Sequence, residues 1–164
     1  MKVPHQYSKR FQECIDIVLE HEGGYVNDQF DPGGETKYGI SKRAFPNIDI
    51  QAITKQEAIR LYYEYYWVRV KGDQIISNEL ALQVFDMAVN AGPGVAIELL
   101  QKMLNTKVDG IIGPKTLAAM DSYPSVAGMI ERYKYLRLKY YAVLIHKNPP
   151  LHRYLMGWIN RIES

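Results

Sequence analysis

The chain has 164 residues and a mass of 18.9 kDa, and it is 47% hydrophobic and 23% charged, which is typical of a globular protein. A chain of this length can bury about 70% of the surface that its unfolded form exposes, so it needs no disulfide or metal ion in order to fold. The single cysteine, Cys14, excludes an intramolecular disulfide and a multi-cysteine metal site. The net charge of +2 is too small to indicate a polyanionic partner, and it would not repel a mildly anionic substrate.

The sequence predicts no integral membrane segment and no signal peptide. No apolar run approaches the roughly 18 residues that span a bilayer. Residues 1–24 carry basic side chains, but Glu13, Asp16 and Glu20 interrupt the apolar positions, so the unbroken apolar centre of a secretory signal is missing. We therefore expect a protein that is made in the cytoplasm.

The first predicted element is a helix with Phe11 and Ile15 on its apolar face. Ser8 is placed to cap this helix, and Gly23–Gly24 are placed to end it. Glu22 continues the apolar face, so a carboxylate stands where the pattern otherwise places an apolar side chain. One interpretation is an acid at the end of a helix that simply turns into the solvent.

The next segment, residues 25–41, predicts a small β-hairpin. Its centre, residues 31–34, consists of turn-forming residues, and short stretches compatible with strands lie on either side. A helix then opens with the capping box of Thr54 and Glu57, and it carries Ala58, Leu61, Tyr62 and Tyr65 on its apolar stripe.

The rest of the chain predicts further helices. Ser77 caps residues 80–90, whose apolar side chains lie nearly all round the helix, as is typical of a central buried helix. A shorter helix follows residues 92–94, and Pro114 suits the first position of another. Residues 125–146 predict one long helix and residues 151–162 a final amphipathic one. The segment at residues 92–94 is the best position for a domain boundary.

The surroundings of Glu22 match the needs of glycosidic bond hydrolysis. The leaving oxygen needs a carboxylic acid that is still protonated near neutral pH, and a partly desolvated glutamate at a helix end can supply one. The opposite face of the sugar needs a carboxylate or a polar pair that stabilises or activates a water, and Asp31 and Thr36 are candidates. Spacing leaves both the retaining and the inverting outcome open. We interpret Asp28 and Glu35 as solvated turn residues.

Three blocks resemble glycoside hydrolase family 108, which comprises N-acetylmuramidases of phages, prophages and bacterial secretion systems. The blocks are Glu-Gly-Gly-Tyr-Val-Asn-Asp at residues 22–28, Asp-Pro-Gly-Gly at 31–34 and Thr-Lys-Tyr-Gly-Ile-Ser at 36–41. The resemblance implies that Glu22 is the catalytic acid. A similarity to phage-type lysozymes implies that Asp31 and Thr36 position the attacking water, although four residues separate them here instead of five.

Two more blocks extend the resemblance. Phe-Asp-Met-Ala-Val-Asn-Ala-Gly at residues 85–92 is similar to the central-helix motif of the family, and Val-Asp-Gly-Ile-Ile-Gly-Pro-Lys-Thr at 108–116 resembles the small peptidoglycan-binding domain that usually follows it. The resemblance implies a lysozyme-like catalytic domain at residues 1–92 and a helical peptidoglycan-binding domain at 93–164. Its candidate binding residues are Asp109, Gly110, Gly113 and Thr116. Alternatively, the glycines and the proline only build a tight turn between helices.

Aromatic side chains near the site are candidates for stacking on sugar rings. Tyr63, Tyr66 and Trp67 lie off the stripe that holds Tyr62 and Tyr65, so we expect the first three to line the cleft and the other two to be core residues.

Four further residues are candidate substrate contacts. Tyr25 and Tyr38 lie in the segment predicted as a hairpin, and Asp86 and Asn90 share one face of the central helix. Polar groups on so apolar a helix need partners, which are either substrate groups or other side chains. For Asp86 and Asn90 we favour the structural interpretation.

The remaining candidate sites have simpler interpretations. The four histidines show no metal-ligand pairing on a helical face, so we expect no metal and no other cofactor. Cys14 fits a core position better than a catalytic one. The basic segment at residues 132–139 is interpreted as a solvated helix face rather than a nucleic-acid interface.

The sequence thus predicts a mainly α, lysozyme-like fold with a small β-hairpin and a C-terminal helical module. The resemblance implies hydrolysis of the β-1,4 bond between N-acetylmuramic acid and N-acetylglucosamine in peptidoglycan, as in a phage endolysin or a secretion-associated enzyme. The expected partners are glycan strands, and a holin or secretion machinery that takes the enzyme to the periplasm or cell wall. The alternatives are a non-catalytic peptidoglycan-binding or secretion accessory protein and a helical nucleic-acid-binding protein.

Overall fold

The computed structural model of the protein describes residues 6–22 and 35–164. These residues form a mainly helical fold with a small antiparallel sheet of two strands, which confirms the predicted fold class. The regular elements are α1 (Lys9–Glu22), β1 (Thr36–Lys37), β2 (Ile40–Ser41), α2 (Lys55–Tyr62), α3 (Asn78–Ala91), α4 (Pro93–Met103), α5 (Pro114–Asp121), α6 (Val126–Lys147) and α7 (Leu155–Glu163). None of the helices in the described part of the chain is long and apolar enough to cross a membrane.

The chain divides into two compact units, Met1–Tyr65 and Tyr66–Ser164. The first contains α1, the hairpin and α2, and the second contains the other five α-helices. The domain boundary between a catalytic part at residues 1–92 and a peptidoglycan-binding part at 93–164 stays a prediction.

In the first unit, α1 begins as its sequence predicts. The hydroxyl oxygen of Ser8 accepts a hydrogen bond from the Phe11 backbone N–H at 3.2 Å, which satisfies one of the free donors at the start of the helix. Phe11, Cys14, Ile15 and Val18 are buried along one face. Glu22 is the last residue of the helix and is half-buried.

The described end of the segment predicted as a hairpin contains a tight two-stranded hairpin. Thr36 pairs with Ser41 and Lys37 with Ile40, so Tyr38 and Gly39 form a two-residue turn. Both have positive φ angles, 51° and 72°, which are the backbone angles that match the twist of a two-residue hairpin. The turn predicted at residues 31–34 lies outside the described residues.

The capping box that opens α2 is confirmed. The Thr54 hydroxyl accepts a hydrogen bond from the Glu57 backbone N–H at 3.2 Å, and the Glu57 carboxylate accepts one from the Thr54 N–H at 2.8 Å.

After α2 the helix widens into a π-helical turn, Tyr63–Trp67. The wider turn changes which side chains face inward, so Tyr65 is 50% exposed, and the prediction that it is a core residue is wrong.

The second unit is built around α3, which packs against α4 and α6. Ser77 caps α3 as predicted, because its hydroxyl accepts a hydrogen bond from the Leu80 N–H at 3.1 Å. Residues 80–88 of this helix are all buried. Helix α5 begins at Pro114, as predicted, and the long helix predicted over residues 125–146 is α6, which Ser125 caps. The final predicted helix begins later, at Leu155, because Pro149–Tyr154 forms a 3₁₀ segment.

A buried ion pair joins three helices of the second unit. Arg137 in α6 is fully buried and donates to the carboxylate of Asp86 and to the side-chain oxygen of Gln83, both in α3. Arg161 in α7 donates to the other Asp86 oxygen at 2.7 Å. The interpretation of residues 132–139 as a solvated face is therefore wrong for Arg137, because Asp86 supplies the partner that lets a guanidinium be buried.

Candidate active site

Glu22 lies against the turn of the hairpin. A Cβ atom placed on Gly39 would lie 2.5 Å from the Oε2 atom of Glu22 and 2.2 Å from the hydroxyl oxygen of Tyr62. Contacts under 3.0 Å are essentially never made by real Cβ atoms, so only glycine fits between these groups. The bare backbone of the turn therefore closes directly on the carboxylate at the end of α1.

Tyr62 holds this turn in place from α2. Its side chain is 1% exposed, and its hydroxyl donates a hydrogen bond to the backbone carbonyl of Tyr38 at 2.9 Å. Because the Tyr62 hydroxyl and the Glu22 carboxylate both lie within 2.5 Å of the same point beside Gly39, they are neighbours. Sequence reasoning assigned Tyr62 only to the core, since nothing local shows that its hydroxyl reaches the hairpin.

The hairpin also carries Thr36 and Tyr38, two of the predicted site residues. Thr36 opens β1 and Tyr38 is the first residue of the turn, and both are half-buried. The structure therefore brings the hairpin that carries Thr36 to the helix end that carries Glu22. The predicted site residues Asp31 and Tyr25 lie outside the described residues.

An open cavity of about 420 Å³ lies between α1 and the hairpin turn. Its lining residues carry an aromatic ring, carboxylates and an ammonium group, and they are Asp16, Leu19, Glu20, Tyr38 and Lys55. Leu19 and Glu20 belong to the last turn of α1, and Tyr38 precedes Gly39 in the chain. Apart from Tyr38, these residues were not predicted. Asp16, Leu19 and Glu20 are spaced three and four residues apart, which places them on one face of α1, and this spacing could have indicated that they line a common surface.

Two of the aromatic residues expected to line the cleft pack against other side chains of the protein. Trp67 is 1% exposed, its Nε1–H donates to the Asp73 carboxylate at 3.0 Å, and its ring lies edge-on to Phe85. The prediction that Trp67 lines a cleft is wrong, because the π-helical turn rotates it inward. Tyr63 packs against the rings of Tyr7 and Phe11 at centroid distances of 4.9 and 5.0 Å, and Tyr66 is half-buried.

The polar residues of the central helix have protein partners. Both carboxylate oxygens of Asp86 are bound by arginines, and the side-chain oxygen of Asn90 accepts a hydrogen bond from the Tyr141 hydroxyl at 3.1 Å. Asp86 is buried, so the structural interpretation is the correct one for it, and its prediction as a substrate contact is wrong. Within residues 6–22 and 35–164, no group of three His, Cys, Asp or Glu side chains could hold a metal ion.

Comparison with known proteins places this geometry in a family. Residues 15–92 match the model for glycosyl hydrolase 108, and residues 95–163 match the model for a predicted peptidoglycan domain. The solved structure of Brucella abortus SagA is 30% identical in sequence with a TM-score of 0.81, and the match covers 93% of this chain and 89% of that chain. None of the curated proteins matches.

The chain belongs to glycosyl hydrolase family 108. It is a glycoside hydrolase that acts on peptidoglycan, as the family and the domain that follows it show together. The predicted family, fold class and enzyme class are thereby confirmed.

The peptidoglycan domain of this family 108 enzyme contains the loop that was predicted to bind. Gln101, 1% exposed, donates to the Asp109 carboxylate at 2.8 Å and to the Ile111 carbonyl at 3.0 Å, and it accepts from the Gly110 N–H at 2.9 Å. The bond from Gln101 holds the pKa of Asp109 below its ordinary value. Thr116 is buried beside Gln101. Asp109 and Gly110 therefore form the turn between α4 and α5, and Thr116 at the start of α5 packs against the same glutamine.

The same loop borders a groove of about 670 Å³. Gly113 lies in its wall together with Lys107, Lys115 and Ile111, whose side chain is 68% exposed. The hydrogen bonds to Gln101 thus hold the loop in place, and one side of the loop faces the groove.

Proposed function

We propose that this family 108 enzyme is a muramidase that hydrolyses the β-1,4 bond between N-acetylmuramic acid and N-acetylglucosamine, with Glu22 as the catalytic acid. The observation that carries the proposal is the packing of the Glu22 carboxylate against Gly39 and the Tyr62 hydroxyl. A carboxyl that packs against a fixed backbone turn can deliver a proton to one atom of a bound substrate.

The proposed step needs Glu22 as a carboxylic acid that can give up a proton. Glu22 is the last residue of α1 and is half-buried against the hairpin turn. Contact with the hairpin excludes water from part of the Glu22 side chain. In the proposed step, Glu22 donates its proton to the glycosidic oxygen as the bond from that oxygen to the anomeric carbon breaks.

Asp31 and Thr36 hold or activate the water that attacks the anomeric carbon. This assignment comes from the family and lysozyme resemblance, and it is supported by the hairpin, which brings Thr36 to the Glu22 end of α1. The anomer first released, followed by NMR, distinguishes the outcomes: the β product indicates retention and the α product indicates inversion. Tyr38 and Tyr25 are proposed sugar contacts, Tyr38 because its ring borders the cavity beside α1.

Substitution of Glu22 tests the proposed acid. We expect Glu22→Gln to lose at least a thousandfold in the rate at which it clears chloroform-treated Gram-negative cells and releases reducing sugars. Glu13→Gln is the matched control, because Glu13 is a half-exposed glutamate on the same helix that forms an ion pair with the exposed Lys9, and we expect it to keep wild-type activity. A folded Glu22→Gln enzyme with wild-type activity would refute the assignment.

We further propose that the enzyme is made in the cytoplasm and reaches peptidoglycan through a holin or a secretion system, as an endolysin or secretion-associated enzyme. Support comes from the substrate, which lies outside the inner membrane, and from the family resemblance. We expect a Gram-negative host that expresses the enzyme alone to keep growing and to lyse within minutes once a holin is induced. Lysis at the same rate without the holin would contradict this route.

A further inference from the structure

We propose that Tyr62 is a positioning residue for the catalytic acid, because its hydroxyl clamps the hairpin turn so that the turn holds the Glu22 carboxyl in one place. This inference rests on the proposed role of Glu22. It assigns a catalytic consequence to a side chain that is buried in α2 and that sequence reasoning places in the core.

The clamp acts on the peptide unit that touches Glu22. The Tyr62 hydroxyl donates to the carbonyl oxygen of Tyr38 at 2.9 Å, and that carbonyl belongs to the peptide bond between Tyr38 and Gly39. The same Gly39 is the residue whose Cβ would overlap the Glu22 carboxylate. The Tyr62 hydroxyl therefore restrains the backbone segment against which the Glu22 carboxyl packs.

The turn needs such a restraint. Tyr38 and Gly39 both have positive φ angles, and a tyrosine adopts this conformation only at a cost in free energy. Within the described residues the two strands are short: Thr36 pairs with Ser41 and Lys37 with Ile40, and one more backbone hydrogen bond runs from the Lys42 N–H to the Glu35 carbonyl at 2.9 Å. Without the hydrogen bond from Tyr62, the peptide between Tyr38 and Gly39 can rotate and leave space beside Glu22.

The Tyr62 ring provides a rigid base for the clamp. The side chain is 1% exposed and extends from the last residue of α2, so its hydroxyl has little freedom to move. The Glu22 carboxyl, at the end of a flexible side chain, can move. Loss of the hydroxyl therefore leaves the fold in place and removes the restraint on Glu22.

The test compares Tyr62→Phe with Tyr133→Phe. Tyr133 is also a fully buried tyrosine whose hydroxyl donates to a backbone carbonyl, that of Ala96 at 3.0 Å, but it lies in the other compact unit. Both variants keep the ring and lose the hydroxyl that donates to a backbone carbonyl, so we expect similar decreases in Tm. We expect Tyr62→Phe to lose 10- to 100-fold in kcat on soluble glycan strands with KM within twofold of wild type, and Tyr133→Phe to keep both constants within twofold.

A second variant reaches the same carboxyl from the other side. Gly39→Ala inserts a methyl group where the Glu22 carboxylate lies, so we expect it to lose at least as much kcat as Tyr62→Phe. In a Glu22→Gln background, Tyr62→Phe should cause no further loss, because the group that it positions is gone.

The outcomes separate this inference from the proposed function. Inactive Glu22→Gln with Tyr62→Phe at wild-type kcat overturns the positioning role and leaves the muramidase proposal standing. Glu22→Gln at wild-type kcat overturns the proposed function itself. A rise in KM as large as the fall in kcat, or an equal loss in Tyr133→Phe, also overturns the positioning role, because either result indicates general disruption.

Discussion

Replacement of Gly39 by alanine is expected to reduce both stability and activity, and the structure separates the two effects. The φ angle of 72° costs an alanine about 1 to 2 kcal/mol. The added Cβ also meets the Tyr62 hydroxyl at 2.2 Å and the Glu22 carboxylate at 2.5 Å. Overlaps of this kind cost about 1 to 3 kcal/mol where the neighbours cannot move. Because the Glu22 side chain can move, we expect a total loss of about 2 to 4 kcal/mol in the free energy of unfolding.

Gly110→Ala is the matched control for backbone strain in this measurement. Gly110 has a φ angle of 71°, and a Cβ there would meet nothing within 4 Å, so we expect a loss of only about 1 to 2 kcal/mol. Urea denaturation followed by circular dichroism measures both losses. Equal losses for the two variants, with wild-type kcat for Gly39→Ala, would refute the conclusion that the turn packs against the catalytic carboxyl.

Three other expectations follow from the contacts. Arg137→Met removes one of the two arginines that bind the buried Asp86 carboxylate and should cost up to about 3 to 5 kcal/mol in urea denaturation; a loss below about 1 kcal/mol would contradict the buried pair. Hydrogen bonds from Thr54 lower the pKa of Glu57 from its ordinary value of 4.5, so this stabilisation is present at neutral pH and is lost as the pH falls through the lowered pKa. The Tm difference between wild type and Glu57→Gln should therefore shrink at the lowest pH, whereas a constant difference would contradict the cap. Gln101→Ala should lose about 1 to 3 kcal/mol and bind purified sacculi more weakly; unchanged binding would show that the loop does not contribute to it.

Local signals in the sequence predicted the helices well. Ser8, Thr54 and Ser77 are helix caps in the structure as predicted, because a cap depends on residues within one turn of it. Glu22 was found because a carboxylate at an apolar helical position is itself a local anomaly.

Contacts between distant residues could not be predicted in this way. The clamp from Tyr62 to the Tyr38 carbonyl joins residues 24 positions apart. In the π-helical turn Tyr65 is exposed and Trp67 is buried, the reverse of the prediction. A prediction based on the α-helical period of 3.6 residues cannot anticipate this change. In the sequence, Arg137 is one of several basic residues at 132–139. Its burial depends on the packing of α6 against α3, which supplies Asp86 as its partner.

The reducing end of the products tests the central claim most directly. Purified sacculi are digested with wild-type enzyme or with Glu22→Gln, reduced with borohydride and analysed by mass spectrometry. A muramidase that uses Glu22 as its acid predicts N-acetylmuramitol at the reduced ends of the wild-type products, and no products above background for Glu22→Gln. Products that end in reduced N-acetylglucosamine or in 1,6-anhydro-muramic acid, or a full set of products from Glu22→Gln, would contradict it.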